Sequence, residues 1–145
     1  MATDLEQHIQ ATPLVDTHEH IFMEADYVEN GPDVIQDLFH TYIGLDLYTA
    51  GAPPEPMERF IDARDPDVEG RWSSIKPYWE HCRYTSYGQA VRTAARLIYG
   101  MEEITLEGIL AAAERNARLR QPGERLRLLR EVANLDHVQI DDQSW

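Results

Sequence analysis

The spacing of apolar residues along most of this chain is that of helices with one buried face. Apolar side chains recur three and four positions apart, which brings them to one side of an α-helix. The faces predicted in this way are Val34, Ile35, Leu38, Phe39 and Tyr42; Leu45 to Tyr48; Met57, Phe60 and Ile61; Trp72, Ile75, Trp79 and Cys82; Ala90, Val91, Ala94, Leu97 and Ile98; Leu106, Ile109, Leu110 and Ala113; and Leu126, Leu129 and Ala133.

Capping residues and helix breakers predict where several of these helices begin and end. Thr3 or Asp4 begins a lead-in helix that reaches Gln10, and Thr85 or Ser86 begins a helix in the second half of the chain. Three further signals are the cap Thr105, the stop at Gly100 and a kink at Pro77.

Two short stretches have the composition of strands. The first is Leu14–Thr17, which follows the helix-ending Pro13, and the second is His137–Asp141. The second alternates incompletely between apolar and polar residues, as a strand buried on both faces does. Because helices separate the two strands, and one directly precedes the second, we expect a parallel βαβ unit with a large helical insertion.

A histidine pair follows the first strand. Side chains two residues apart on an extended chain share a face, so His18 and His20 direct their imidazoles to one side and Glu19 faces the other. Imidazole nitrogen is the commonest metal ligand in proteins. Asp16 lies on the histidine face and is a candidate to orient a ligand imidazole, with a solvent or backbone contact as the alternative. The pattern predicts metal binding, and the alternative is a hydrogen-bonded histidine pair.

Composition restricts the class of protein. The 145 residues are 43% hydrophobic, which suits one domain with a core and argues against disorder. Cys82 is the only cysteine, so no disulfide forms within the chain. No apolar run approaches the roughly 20 residues of a membrane helix, and no signal peptide pattern is present. A cytoplasmic protein is the simplest expectation.

Charge is distributed unevenly between the two halves. The net charge is −13. Residues 1–70 contain 16 acidic residues and 2 arginines, whereas residues 71–145 contain 10 acidic and 11 basic residues. This excess of negative charge argues against nucleic acid and anionic membranes as partners. We expect the acidic half to be a solvated surface, with docking on a basic partner as the alternative.

The number of predicted strands is too small for a closed sheet. A (β/α)₈ barrel needs roughly 250 residues, and the second strand lies close to Trp145. We therefore expect the chain to be the front of a larger α/β protein. The alternative is a compact helical domain with a two-stranded core.

Several motifs together resemble the amidohydrolase superfamily. The most specific is the strand that ends in Asp16-x-His18-x-His20. The other matches are Asp37-Leu38-Phe39-His40, Lys76-Pro77-Tyr78-Trp79-Glu80, Tyr87-Gly88-Gln89-Ala90-Val91-Arg92, Leu97-Ile98-Tyr99-Gly100 and Asp136-His137-Val138-Gln139-Ile140-Asp141. The set is similar to the amidohydrolase-related branch that also resembles uronate isomerases, in which a helical insertion follows the first barrel strand. The resemblance covers nearly the whole chain, but only the front portion of such a protein.

The resemblance implies the N-terminal fragment of a (β/α)₈ TIM barrel, an α/β fold. Residues 1–20 would form the lead-in helix and first strand, 21–120 the helical insertion, and 121–145 a helix and the second strand. It also implies a divalent metal, Zn²⁺ or alternatively Mn²⁺, with His18 and His20 as two of its ligands. The family's other ligands and its general-base Asp have no counterpart here, so the chain alone is expected to bind metal weakly and to be inactive.

The activity implied for the complete protein is hydrolysis of a C–N or C–O bond in a small polar substrate by a metal-activated water. Isomerisation of a sugar acid and decarboxylation are open alternatives within the same architecture. A non-catalytic helical interaction module is the alternative outside it. The partners expected are a small-molecule substrate and, as an open question, a second copy of the chain in a homo-oligomer.

Other candidate residues carry a weaker signal. Arg83 has a planar fork that suits a substrate carboxylate, and Tyr84 and Tyr87 are candidates to line the same pocket. A surface arginine and core aromatics are the alternatives. The aromatics Trp72, Tyr78 and Trp79 are further candidates for the pocket lining, but their helical spacing favours the core. The side chains expected to be structural or solvated are the buried Cys82 and the isolated histidines His8, His40, His81 and His137.

Overall fold

The computed structural model describes residues 3–140, and this part of the chain is mainly helical. Its α-helices are α1 (Asp4–Ala11), α2 (Glu24–Asn30), α3 (Val34–Phe39), α4 (Ile43–Thr49), α5 (Pro54–Phe60), α6 (Val68–Cys82), α7 (Ser86–Ala94), α8 (Leu106–Leu119) and α9 (Glu124–Arg127). Two π-helical turns, Ala95–Tyr99 and Leu128–Val132, continue α7 and α9. The strands are β1 (Leu14–Glu19) and β2 (Leu135–Ile140), so the predicted strand residue Asp141 lies outside the described residues.

Backbone contacts divide the chain into two compact units. The first unit contains residues 3–30 and 119–140, and the second is Gly31–Arg118. Both strands therefore lie in the first unit with α1, α2 and α9, while α3 to α7 and nearly all of α8 form the second. The boundaries predicted at residues 20 and 120 belong to a barrel domain and stay a prediction. Among the described residues, no helix has the length and apolar character that crossing a membrane would require.

The first unit begins with a capped helix and contains a parallel sheet. The Thr3 hydroxyl accepts a hydrogen bond from the Glu6 amide at 3.2 Å, and the Glu6 carboxylate accepts one from the Thr3 amide at 3.3 Å. This capping box confirms Thr3 as the start of the lead-in helix. The strands β1 and β2 pair in parallel, with Leu14 opposite Leu135 and Glu19 opposite Ile140. The parallel pairing agrees with the order strand, helices, strand.

The sheet of the first unit is exposed on both faces within the described residues. Leu14 and Val15 alternate in direction along β1, yet they are 56% and 53% exposed. In β2, Val138 is half-buried and Ile140 is 49% exposed. The expectation that β2 is buried on both faces is therefore wrong for this part of the chain, because a two-stranded sheet has two faces and the described helices do not cover them.

The second unit has a dense helical core. Its fully buried apolar side chains include Ile35, Phe39, Ile43, Leu47, Phe60 and Ile75. The ring of Phe39 packs edge-on against Phe60 at 5.0 Å and Trp79 at 5.2 Å between centroids. The predicted stripe of Trp72, Ile75, Trp79 and Cys82 is buried along one side of α6, which runs unbroken through Pro77. The apolar spacing of α6 thus predicted its buried face.

A buried arginine joins three segments of the second unit. The guanidinium of Arg71 is fully buried and donates to the Asp33 carboxylate at 2.5 and 3.2 Å. It also donates to the Phe60 carbonyl at 2.9 and 3.0 Å and to the Asp65 carbonyl at 3.0 Å. The planar guanidinium satisfies several acceptors at once, which a lysine cannot do. It connects α6 to the start of α3 and to the loop after α5.

The π-helical turn after α7 corrects one predicted face. The α-helical period placed Leu97 on the buried side, but Leu97 is 48% exposed and Tyr99 is buried. A π-helix bonds residue i to i+5 and its turn is wider, which moves the buried position along the chain. Burial consequently falls on Val91, Ala95 and Tyr99. Gly100 then ends the segment in the left-handed conformation, with φ at +72°, as the sequence predicted.

Some other predicted core positions are exposed, and for Tyr42 the reason is that a helix ends where the pattern alone suggested continuity. α3 ends at Phe39 and α4 begins at Ile43, so Tyr42 no longer lies on the α3 face. Within α4 the buried residues are Ile43 and Leu47, not Leu45 or Tyr48. Leu110, inside α8, and Leu126 are also exposed, whereas the predicted Ile109 is buried and Leu128, which was not predicted, is buried as well.

Candidate metal centre

The two histidines of the predicted metal pair lie together at the carboxyl end of β1. His18 is the penultimate residue of the strand and His20 directly follows its last residue. Their ring centroids are 4.9 Å apart, and the planes meet edge to face at 85°. Both side chains are exposed. The strand therefore brings both imidazoles to one accessible place, as the period-two spacing predicted.

The separation of the two rings fits ligands of one metal ion. With Zn–N distances of about 2.1 Å and near-tetrahedral geometry, two imidazoles on one ion have centroids about 5 Å apart. The observed 4.9 Å between His18 and His20 agrees with that value. The centroid separation is therefore compatible with two imidazoles that bind one ion.

Carboxylates beside the pair bind its backbone. Asp16 is half-buried, and its Oδ1 accepts the backbone N–H of His18 at 3.1 Å. The Oε2 of Glu19 accepts the backbone N–H of His20 at 3.2 Å. The contact of Asp16 is thus the backbone contact that stood as the alternative, and a role for Asp16 in orienting an imidazole stays a prediction.

A third ligand is not found in the described part of the chain. Between residues 3 and 140, no cluster of three His, Cys, Asp or Glu side chains is arranged to hold a metal. His137 lies on the neighbouring strand, but it is in register with Val15, and its Nδ1 is 3.0 Å from Asp136 Oδ2. The structure places the predicted ligands His18 and His20 side by side, and residues 3–140 supply no third ligand.

The predicted carboxylate receptor Arg83 lies in the second unit and is already paired. Its Nη1 is 3.1 Å from Glu80 and 3.8 Å from Glu103. Arg92 contacts the same Glu103 at 3.2 Å. Both guanidinium groups lie over the Tyr84 ring, 4.9 and 5.1 Å from its centroid. The cluster is balanced in charge, so the geometry favours a structural ion-pair network over an open receptor for a substrate carboxylate.

The aromatic candidates separate into core and surface. Trp72 and Trp79 are 2% exposed and belong to the core. Tyr84 and Tyr87 are exposed, and Tyr87 stacks on Tyr42 with 5.6 Å between centroids. Tyr78 is half-buried, so the five aromatic side chains are divided between core and surface and do not line one pocket. The isolated histidines His8, His40, His81 and His137 are exposed.

The single cysteine is buried, as its place on the apolar stripe of α6 predicted. Cys82 is 3% exposed. Burial, and then the nearby negative charge of Asp46, raise the pKa of its thiol to about 11. A thiol with that pKa is protonated near neutral pH and is a poor nucleophile or metal ligand.

A buried polar chain in the second unit was not predicted. The Tyr99 hydroxyl donates to Asp37 Oδ2 at 2.6 Å and accepts from Asn116 Nδ2 at 3.0 Å. These residues are far apart in sequence, so no local pattern links them. One signal in the sequence could have indicated that Asn116 is buried. Asn116 lies seven residues after Ile109, and residues seven apart lie on the same side of a helix.

Comparison with known proteins gave no relative. No family model, no curated protein and no solved structure matches this chain. The arguments about function therefore depend on the residues themselves.

Proposed function

We propose that this chain is the front portion of a metal-dependent hydrolase of the amidohydrolase superfamily. In this proposal His18 and His20 bind one divalent metal, Zn²⁺ or Mn²⁺, and the substrate is a small polar molecule. The observation that carries the proposal is the closeness of the two imidazoles, whose ring centroids are 4.9 Å apart, at the carboxyl end of a parallel strand. Ligand and metal sites of α/β proteins lie at that end of their strands.

The residues present account for part of such a site. A bound divalent metal supplies Lewis acidity that lowers the pKa of a water to about 7 and makes it a nucleophile at neutral pH. His18 and His20 would hold the ion, while Asp16 and Glu19 hold the backbone of the two ligands in place. A catalytic zinc site takes three protein ligands. Two imidazoles therefore fit the ion but do not complete its shell.

The exposed sheet of the first unit supports the same proposal. Parallel sheets occur almost only where helices cover both faces, whereas Leu14 and Val15 are both more than half exposed here. An isolated pair of parallel strands is a poor fold in water. Further α/β structure packed on β1 and β2 would bury these side chains and supply the missing ligands.

The test is metal analysis of the protein that the gene encodes, including any in-frame sequence beyond Trp145. We expect stoichiometric Zn²⁺ or Mn²⁺, together with hydrolysis of small amide or ester substrates, and loss of both in His18→Ala and in His20→Ala. His40→Ala, an exposed histidine of the second unit, is the matched control and should retain both. Unchanged metal content in the His18 and His20 variants would refute the proposal.

A non-catalytic helical module is the second candidate function, and the core of the second unit favours it. Within Gly31–Arg118, the side chains of Phe39, Phe60 and Ile75 are fully buried. A thermal melt of the 145-residue chain, with Zn²⁺ and with a chelator, separates the candidates. One sharp transition whose midpoint temperature is the same with Zn²⁺ and with the chelator would favour the module. A transition whose midpoint temperature rises with Zn²⁺ and falls with the chelator would favour the metal site.

A further inference from the structure

A cavity of about 360 Å³ lies within the second unit, between one face of α8 and the segment that follows the π-helical turn. Its lining includes Tyr99, Gly100 and Met101 on one side and Gly108, Ala111 and Arg115 of α8 on the other. The α8 members recur at intervals of three and four and therefore share one side of the helix. The cavity takes no part in the histidine site, which belongs to the other unit.

Small residues on both walls leave this space open. Gly100 has a positive φ of +72°, and a Cβ there would lie 3.6 Å from Nη1 of Arg115. A Cβ on Gly108 would lie 3.0 Å from the Met101 sulfur, tighter than nearly all real contacts. Ala111 adds only a methyl group. The backbone of α8 therefore approaches the opposite wall without filling the space between them.

The floor of the cavity is buried and held in place. Tyr99 and Met101 are 6% and 7% exposed, and the Tyr99 hydroxyl is fixed between Asp37 and Asn116. Tyr99 ends a π-helical turn, and such turns occur frequently at functional sites. A ligand in this cavity would meet a preformed apolar surface, which lowers the entropy cost of binding.

Among the charged side chains that line the cavity, one arginine, Arg115, has no ion-pair partner within the described residues. Glu114 pairs with Arg118 at 2.8 Å, and Glu103 pairs outside the cavity with Arg92 at 3.2 Å. Within the described residues, the guanidinium of Arg115 makes no ion pair or hydrogen bond, although it lies beside Gly100. An unpaired guanidinium above an apolar floor favours a ligand with one negative charge and an apolar body.

We propose that this cavity binds a small organic monocarboxylate. The carboxylate takes two hydrogen bonds from the planar fork of Arg115, and the apolar part of the ligand lies on Met101 and Ala111. Arginine binds carboxylates in this bidentate way, with shorter and stronger bonds than neutral pairs make. A volume of about 360 Å³ is within the range of small-molecule pockets.

The test is titration of the whole chain with phenylacetate, followed by backbone amide NMR shifts and calorimetry. Phenylacetamide, which has the same shape but no charge, is the ligand control. We expect saturable binding of phenylacetate, with shifts concentrated at Gly100, Met101 and Gly108. Phenylacetamide should bind at least about tenfold more weakly, because it lacks the negative charge that strengthens hydrogen bonds from a guanidinium.

Two variants and one control test the position of the ligand. Arg115→Gln should weaken phenylacetate binding about tenfold or more, and Ala111→Phe should abolish it by filling the cavity. Arg96→Gln is the control, an exposed arginine of the same unit that does not line this cavity, and it should bind like the unmodified chain. No saturable binding, or equal binding by Arg115→Gln, would overturn the proposal. Because Arg115 and Ala111 are exposed, their variants should keep the native circular dichroism spectrum.

Discussion

At the scale of single residues, three threonine hydroxyls accept hydrogen bonds at the starts of helices. Thr3, Thr85 and Thr105 each cap a helix, because a hydroxyl in this position accepts an amide of the first turn. The contacts of Arg71 and Tyr99 were not predicted, since their partners lie up to 62 positions away in sequence. A helix cap can be predicted from residues close together in sequence, whereas the partner of a buried polar group depends on how the helices pack.

Gly88 is a residue whose size matters more than its conformation. A Cβ at this position would lie 2.2 Å from the Cys82 carbonyl oxygen, which belongs to the backbone and cannot rotate away. We therefore expect Gly88→Ala to lower the free energy of unfolding by about 1–3 kcal/mol. Gly44→Ala is the control, because its Cβ would meet only the end of Met57 at 4.0 Å. Urea unfolding of both variants gives the comparison, and equal stability would contradict this account.

Cys82 should be unreactive in the folded chain. Its thiol is buried, and a pKa of about 11 leaves almost none of the reactive thiolate at pH 8. We expect a disulfide reagent such as 5,5′-dithiobis(2-nitrobenzoate) to modify the native chain only as fast as the chain opens. In guanidinium chloride the same thiol should react at once. Rapid stoichiometric modification of the native chain would show that Cys82 is accessible.

At the scale of elements, helices were predicted more reliably than their junctions. The apolar stripe of α6 repeats over its whole length, so its buried face follows from spacing alone. The buried face after α7 was misplaced at Leu97, because a π-helical turn changes the period that the prediction assumed. The break between α3 and α4 exposed Tyr42 for a similar reason. A periodic pattern identifies a helix but does not show where its register changes.

The stability that the N-terminal cap of α6 gives to the chain should depend on pH. The pKa of Asp67 is lowered, first by the hydrogen bond from the Gly70 amide that it caps and then by the bond from Arg59. A lowered pKa in the folded chain means that the stabilisation is present above the unfolded value of 3.8 and is lost as the pH falls below it. We expect Asp67→Asn to reduce the loss of stability on acidification in that window.

The control for this prediction is Glu69→Gln, which removes an exposed carboxylate from the same first turn. It should leave the slope of stability against pH closer to that of the unmodified chain. The measurement is urea unfolding at a series of pH values from neutral to below 3.8. Equal slopes for Asp67→Asn and the unmodified chain would show that the cap carries no charge-dependent stabilisation.

Arg71 should be the most sensitive charged residue of the second unit. Arg71→Met removes the partner of Asp33 and leaves the carbonyls of Phe60 and Asp65 without their donor. Breaking a buried ion pair from one side costs about 3–5 kcal/mol, so we expect a loss of that order in urea unfolding. Arg64→Met, which removes an exposed arginine paired with Asp62, is the control and should cost much less. An equal loss of stability in the two variants would contradict this assignment.

At the scale of the whole molecule, the two units differ in how far their apolar side chains are buried. The second unit buries its core residues within Gly31–Arg118. In the first unit a parallel sheet exposes Leu14, Val15 and Ile140. The sequence predicted the pairing of the two strands but not their exposure, because a strand's composition reports the environment it suits and not what covers it. The proposed barrel would supply that cover.

The central claim is that His18 and His20 bind one divalent ion together. The chain has six histidines, and the four others, His8, His40, His81 and His137, are exposed controls in the same sample. The most direct measurement is a Zn²⁺ titration followed by the imidazole nitrogen resonances. We predict that the signals of His18 and His20 shift together, with one Zn²⁺ per chain, before any of the other four respond. Independent shifts, or a response no earlier than that of the exposed histidines, would contradict the claim.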